Sequence, residues 1–286
     1  MATFPIVRLT ILGLGLIGGS IALAARKRGA ATHVTGIDRT DVVSLPEARA
    51  AADTLVDTTD DFAVRAALRS TDLVVVAAPV GAIAAMIPEV LESADLVTDC
   101  GSTKRAIVAS AARSHRARRF VPGHPMAGLP QGGVQRARAE LFEGRQWMLC
   151  PESCDKDALE RVQSLVTSLG ATPILIGADD HDRAVALTSH VPQILASALA
   201  VLAENRRASV AAGPAFESAT RVAGGGEAMW RDILSTNADE VSAVLEILLS
   251  ELERVLRGLR RDPADVGPVL TLLERARTVR ARGRGD

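Results

Sequence analysis

The chain has 286 residues, 48% of them hydrophobic, enough for one large or two ordinary domains with sizeable cores. Its 33 basic and 34 acidic residues leave a net charge of −1, so no overall field draws it to nucleic acid or to an anionic membrane. Three cysteines, Cys100, Cys150 and Cys154, match no metal-ligand spacing, and an odd number argues against a disulfide framework; a reducing cytoplasm and no metal are expected.

Residues 9–12 read as an apolar strand that runs straight into Gly13-Leu14-Gly15-Leu16-Ile17-Gly18, followed by a helical pattern over 21–26. The apolar stretch 9–25 is too short and too rich in glycine to span a membrane, and no basic leader or cleavage site marks it as a signal peptide. Strand, G-x-G-x-x-G turn and helix form the setting in which backbone N–H groups and the helix dipole receive a pyrophosphate. Gly13, Gly15, Leu16, Ile17 and Gly18 are therefore cofactor-binding candidates. The second strand, 33–37, leads into Asp38, twenty residues after Gly18. A carboxylate there accepts hydrogen bonds from the ribose hydroxyls and repels a 2′-phosphate, which favours NAD over NADP. Arg39 is placed either to stack on adenine or to reach a 2′-phosphate.

The strand 73–77 ends at Ala78-Pro79, either a plain strand terminus or the lining of the nicotinamide end of the groove. A helical pattern covers 83–91, and the strand 96–98 leads to Ser102, which reads as the N-cap of a helix starting near Thr103 and running over 106–113. Lys104 is expected to be a solvated first-turn lysine. After the strand 120–121 comes Gly123-His124-Pro125-Met126-Ala127-Gly128, which places His124 on a turn; a neutral imidazole with a pKa near 6.5 can take up a proton at pH 7. Strands at 147–149 and 173–176 flank a helix over 159–169. Such alternation predicts a parallel sheet wrapped by helices, a doubly wound α/β dinucleotide-binding domain over 1–177.

From Asp180 onward the β signals vanish, and periodic Ala/Leu-rich segments at 183–204, 215–223, 229–236 and 239–257 predict an all-α domain over 178–286. Pro192 falls inside the first of these, where it cannot donate to the carbonyl of Thr188; an interior proline costs ~3 kcal/mol, so a kink is expected. Gly224-Gly225-Gly226 marks a loop, and the basic tail 275–284 reads as a frayed terminus.

The glycine fingerprint, Asp99-Cys100-Gly101-Ser102-Thr103-Lys104, the His124 segment, Ser189-His190-Val191-Pro192, Thr220-Arg221-Val222-Ala223 and Met229-Trp230-Arg231-Asp232-Ile233 occur in this order. So arranged, they resemble the prephenate/arogenate dehydrogenase family of tyrosine biosynthesis over nearly the whole chain. The resemblance implies NAD-dependent oxidative decarboxylation of prephenate to 4-hydroxyphenylpyruvate in the cytoplasm. It makes His124 the general base, with Ser102 contacting both that histidine and the cofactor. Arg221 would bind the ring carboxylate and His190 the substrate, Trp230 would lie near the active site and subunit interface, and the helical domain would form a homodimer. Members with an appended amino-acid-sensing domain are longer, so feedback through such a module is not expected. The same chemistry on a ring analogue, 4-amino-4-deoxyprephenate or arogenate, is the alternative. A non-catalytic NAD-sensing protein would need neither His124 nor Arg221.

Three positions depart from the family pattern. Leu129-Pro130 replaces Thr-Glu, Ser218 replaces an acidic residue, and Gln193, kept as a substrate-side candidate, replaces a histidine. The first two remove carboxylate partners of Arg221. The pocket is then expected to be more positive and to prefer a pyruvyl side chain to the ammonium-bearing side chain of arogenate.

Overall fold

A computed structural model describes residues 6–282 apart from Pro130; Pro130 of the Leu129-Pro130 departure and the end of the basic tail, including Arg284, lie outside the described residues. The chain divides into two compact units, 1–238 and 239–286.

In the first unit β1 (Ile6–Leu12), α1 (Leu16–Arg28), β2 (Ala31–Asp38), the short helices α2 (Thr40–Val43) and α3 (Pro46–Ala51), and β3 (Thr54–Asp57) build one half of a sheet. The other half comes from α4 (Asp61–Arg69), β4 (Leu73–Val76), α5 (Val80–Ser93), β5 (Val97–Asp99), α6 (Arg105–Ala111) and β6 (Phe120–Val121). The six strands are all parallel in the order β3-β2-β1-β4-β5-β6. β4 shows why: its Leu-Val-Val-Val run is buried on both faces, as a strand covered by helices on each side must be. Leu73 and Val75 enter one core with Ile21, Ala25 and Val162, while Val74 and Val76 enter the other with Ile83, Ile87 and Ile107.

Pro122 ends β6 after two residues, and the chain re-enters as β7 (Gly123–Pro125), which pairs antiparallel with β8 (Gln146–Leu149). After α7 (Lys156–Ser168), β9 (Thr172–Leu175) pairs parallel with β8. The strands expected at 147–149 and 173–176 thus form a separate three-stranded sheet instead of extending the main one. His124 lies in the middle of β7, opposite Met148, and not on a turn.

α8 (Ala178–Val185) passes through a π-helical turn, Ala186–His190, into α9 (Val191–Asn205). The disturbance expected at Pro192 is therefore a widened turn just before it. Pro192 is the second residue of α9, directly after the π turn that already interrupts the regular hydrogen-bond pattern it could not join. α10 (Pro214–Thr220) and α11 (Glu227–Thr236) complete the helices of this unit. The second unit is formed by α12 (Ala238–Leu259) and α13 (Gly267–Arg282). The tail expected to fray is thus helical through Arg282, consistent with the high helix propensity of its Ala and Arg residues.

Candidate active site

The glycine loop is shaped by three different constraints. Gly13 has φ +100°, and a Cβ there would stand 2.4 Å from the carbonyl oxygen of Ala77. A Cβ on Gly18 would fall 1.8 Å from the Gly13 oxygen, so α1 packs on its own loop only as glycine allows. Gly15 meets nothing within 4 Å, leaving open space at the N-terminus of α1, whose first turn (Leu16 buried, Ile17 partly so) carries neither a side-chain cap nor an acidic residue. Unclaimed N–H donors beside open space fit a pyrophosphate. At the end of β2 the Asp38 carboxylate accepts from Leu14 N–H at 2.5 Å and from Arg39 N–H at 2.7 Å, so it braces the glycine loop. Arg39 is exposed and paired with Asp41 at 3.1 Å. Ala78 and Pro79 connect β4 to α5, whose first turn is capped from α11: Gly81 N–H donates to Asp232 at 3.0 Å.

His124, itself half-buried, leads into a chain of buried polar groups. Its Nδ1 lies 2.9 Å from Nε2 of His181, and His181 Nδ1 lies 2.8 Å from Oδ1 of Asp182. Asp182 also accepts from the backbone N–H groups of Lys104 at 2.7 Å and Arg105 at 2.9 Å. Asn237 Nδ2 donates to the Asp182 carbonyl at 2.8 Å and approaches His190 Nδ1 at 3.3 Å, while its Oδ1 accepts from Arg105 at 2.9 Å. Trp230 stands edge-on to His190, with centroids 5.9 Å apart, and its buried indole N–H has no partner.

Two expectations about the Ser102 segment are corrected. α6 begins at Arg105, later than expected, and its first donors are capped by Asp182 from α8 instead of by Ser102. Ser102 is half-buried and makes no side-chain hydrogen bond among the described residues; His181 is the group that meets the His124 ring. Lys104 is not solvated. It is completely buried, paired with Asp99, and donates to the Gly123 carbonyl at 2.6 Å. Asp99 in turn accepts from Gly101 N–H at 2.7 Å and Gly123 N–H at 3.0 Å, so a buried ion pair clamps β7 against the end of β5.

Burial, followed by electrostatic interaction with His181, Lys104 and His190, holds the His124 imidazole well below its ordinary pKa of 6.5. Burial also lowers His190, to about 4, against the pull of Asp182. For Asp182 burial acts upward, but hydrogen bonds from His181 and from the Arg105 and Lys104 backbone outweigh it and keep the carboxyl low. Burial pushes the Cys100 thiol up and that of Cys150 to about 12, so neither is a thiolate nucleophile at neutral pH.

The structure thus brings together His124, His190 and Trp230 and adds His181, Asp182 and Asn237. Arg221 is exposed just after α10 and Gln193 is half-buried on α9; neither side chain forms a hydrogen bond or ion pair among the described residues, and no such contact ties them to the histidines. His181 and Asp182 escaped the sequence reading because they follow Asp179-Asp180 and look like part of an exposed helix start. The available signal was their helical spacing from the buried Ala178, Val185 and Ala186.

The profile of the prephenate dehydrogenase nucleotide-binding domain matches residues 21–175, and that of the prephenate dehydrogenase dimerization domain matches 177–273. Prephenate dehydrogenase of Bacillus subtilis is 33% identical over 267 residues, covering 89% of this chain and 71% of the relative. Cyclohexadienyl dehydrogenase of Zymomonas mobilis is 30% identical over 269 residues, 90% of each. Among solved structures, prephenate dehydrogenase from A. aeolicus in complex with hydroxyphenyl propionate and NAD+ superposes with a TM-score of 0.86, covering 98% of this chain and 99% of that one. At 24% identity, that likeness concerns the fold.

Proposed function

The chain belongs to the prephenate dehydrogenase family, whose members are dehydrogenases, and from that premise we propose that it decarboxylates prephenate oxidatively to 4-hydroxyphenylpyruvate with NAD as oxidant. The observation that carries the proposal is the hydrogen-bonded chain from Asp182 through His181 to His124, lying in the same unit as a glycine loop open to a pyrophosphate. In this reading residues 1–177 bind the dinucleotide, with Gly13, Gly15, Leu16, Ile17 and Gly18 at the pyrophosphate, Asp38 and Arg39 at the adenosine end, and Ala78, Pro79 and Ser102 at the nicotinamide end. Residues 178–286 carry the substrate side and the subunit contact.

Prephenate has a hydroxyl on C4 and a carboxylate on C1. His124 takes the hydroxyl proton as the C4–H bond breaks; the C1–carboxylate bond then releases carbon dioxide, its electron pair aromatises the ring, and the proton returns to the phenolate. Bound NAD supplies the two-electron acceptor for the C4 hydrogen. A base held below its usual pKa suits a proton that is borrowed and returned, because aromatisation supplies the driving force. His190, neutral at pH 7 and accepting at Nδ1, offers Nε2–H as a donor, and the unpartnered Trp230 indole offers another. The fixed positive charge for the substrate's carboxylates is then left to Arg221.

A homodimer accounts for the apolar side chains left exposed within each unit: Leu187, Val201 and Leu202 in the first, Ile247, Leu249, Leu270 and Leu273 in the second. Among the described residues 178–205 form one helix long and apolar enough to cross a membrane, 28% buried. Its first two turns hold Asp179, Asp180, Asp182 and Arg183, and its π turn holds His190, so we assign its exposed apolar side to the subunit contact of a cytoplasmic enzyme. Absorbance at the reduced-nicotinamide band tests the function with NAD and, side by side, prephenate, arogenate and 4-amino-4-deoxyprephenate. Prephenate is expected ahead of arogenate, because Ser218 and Leu129 supply no carboxylate for an ammonium group. Arogenate in first place would overturn the charge argument, whereas the amino analogue in first place would replace the substrate and keep the mechanism.

A further inference from the structure

On the reading of His124 as general base, we propose that His181 is a positioning residue which, held by Asp182 and the Lys104–Arg105 turn, fixes the His124 proton on Nδ1 and leaves Nε2 as the unprotonated base. The direction of the chain follows from what each group can donate. An ionised carboxylate only accepts, and Asp182 already accepts from two backbone N–H groups of the α6 start. Its 2.8 Å contact with His181 Nδ1 therefore has the histidine as donor. In the proposed arrangement His181 Nε2 is the acceptor, and the 2.9 Å contact with His124 is then a hydrogen bond in which His124 Nδ1 carries the proton. Free histidine favours the opposite tautomer, so the chain selects the less common form.

Lys104 strengthens this selection by gripping His124 from two directions. Its ammonium holds the carbonyl of Gly123, immediately before the histidine, while its backbone N–H holds the carboxylate that orients His181. The Asp99 partner accepts from Gly123 N–H, so the strand cannot slide without breaking a buried ion pair. With the ring held from this side, Ser102 is free to act on substrate or cofactor. His181 is 1% exposed and Asp182 fully buried, so water does not replace either bond.

The groups that face His124 are His181 on α8, Lys104 ahead of α6 and His190 on the π turn, with Asp182 behind His181. Replacing His181 by alanine opens the space beside the ring and admits water to it. Relief of burial raises the His124 pKa and moves the acidic limb of kcat/KM to higher pH.

His181→Ala is expected to lower kcat about 10- to 100-fold, less than loss of the base itself, with KM for NAD within about two-fold of the unaltered protein. His181→Gln should restore most of the rate, because a carboxamide can donate to Asp182 and accept from His124. Equal losses in the two variants, or none in the alanine variant, would overturn the proposal. A second measurement does not depend on whether the alanine variant folds. Imidazole nitrogen-15 shifts of the unaltered protein, with His124→Asn for assignment, should show His124 protonated on Nδ1, and protonation on Nε2 would equally overturn it. If the unaltered protein turns over none of the three ring substrates, the functional reading fails, while the tautomer measurement still decides the hydrogen-bond chain.

Discussion

His124 combines two properties that conflict in solution, a free basic nitrogen and a low affinity for the proton. Burial first, and then the electrostatic influence of His181, Lys104 and His190, produce the second, and a reaction that ends in aromatisation tolerates it. His124→Asn is expected to lower kcat by roughly 10²–10⁴ with NAD affinity nearly unchanged, as measured by steady-state kinetics and cofactor titration; full turnover in that variant would make the residue structural. At the other end of the groove NAD should support turnover better than NADP, and Asp38→Ser should narrow the gap in kcat/KM. Because Asp38 also accepts from Leu14 N–H, the variant should lose some NAD affinity as well. Comparable efficiencies with the two cofactors in the unaltered protein would contradict this. Asp38 and His124 stood out in the sequence because each follows a recognisable strand. Lys104 did not: a lysine after Ser-Thr reads as solvated, and only the fold shows that Asp99, five residues earlier, turns back to pair with it.

Among the elements, the β1–α1 turn tests how much of the nucleotide site is set by backbone space. Gly15→Ala meets no atom, so the melting temperature should hold while NAD affinity falls about ten-fold, because the new methyl fills the space assigned to the pyrophosphate. Gly18→Ala sets a Cβ against the Gly13 carbonyl and should destabilise the fold by about 1–3 kcal/mol, read as a lower melting temperature. The reverse ranking would contradict the assignment. The six-stranded sheet was largely legible because its apolar runs and glycine turn carry strong local signals. β3, only Thr-Leu-Val-Asp at a sheet edge, and β7, Gly-His-Pro, carry none, since pairing partners and not propensity make them strands. The π turn was foreshadowed by Pro192, although the sequence could not say that the helix would widen before the proline instead of bending at it.

For the whole molecule, the depressed histidines tie stability to pH. His124 and His190 stay neutral in the fold, whereas the unfolded chain protonates them below about 6.5, so the unfolded state binds more protons and stability falls on acidification. With His190 lowered to about 4, its share of the loss falls between about pH 6.5 and 4, on the order of 2 kcal/mol once solvent screening is allowed for. Asp182, held low by its donors, adds to the loss below its ordinary pKa of 3.8. A melting temperature that does not fall across the histidine window would contradict this. The bond from Asp182 to the start of α6 spans 78 residues of sequence, and α6 has only seven of its own, too few for a helix to persist unaided. The parallel sheet and α7, which covers one of its faces, are made before α8, and the turn that holds Lys104 and orients His181 waits for α8. During synthesis the sheet and its glycine turn can therefore be in place while the His124 ring is still unset.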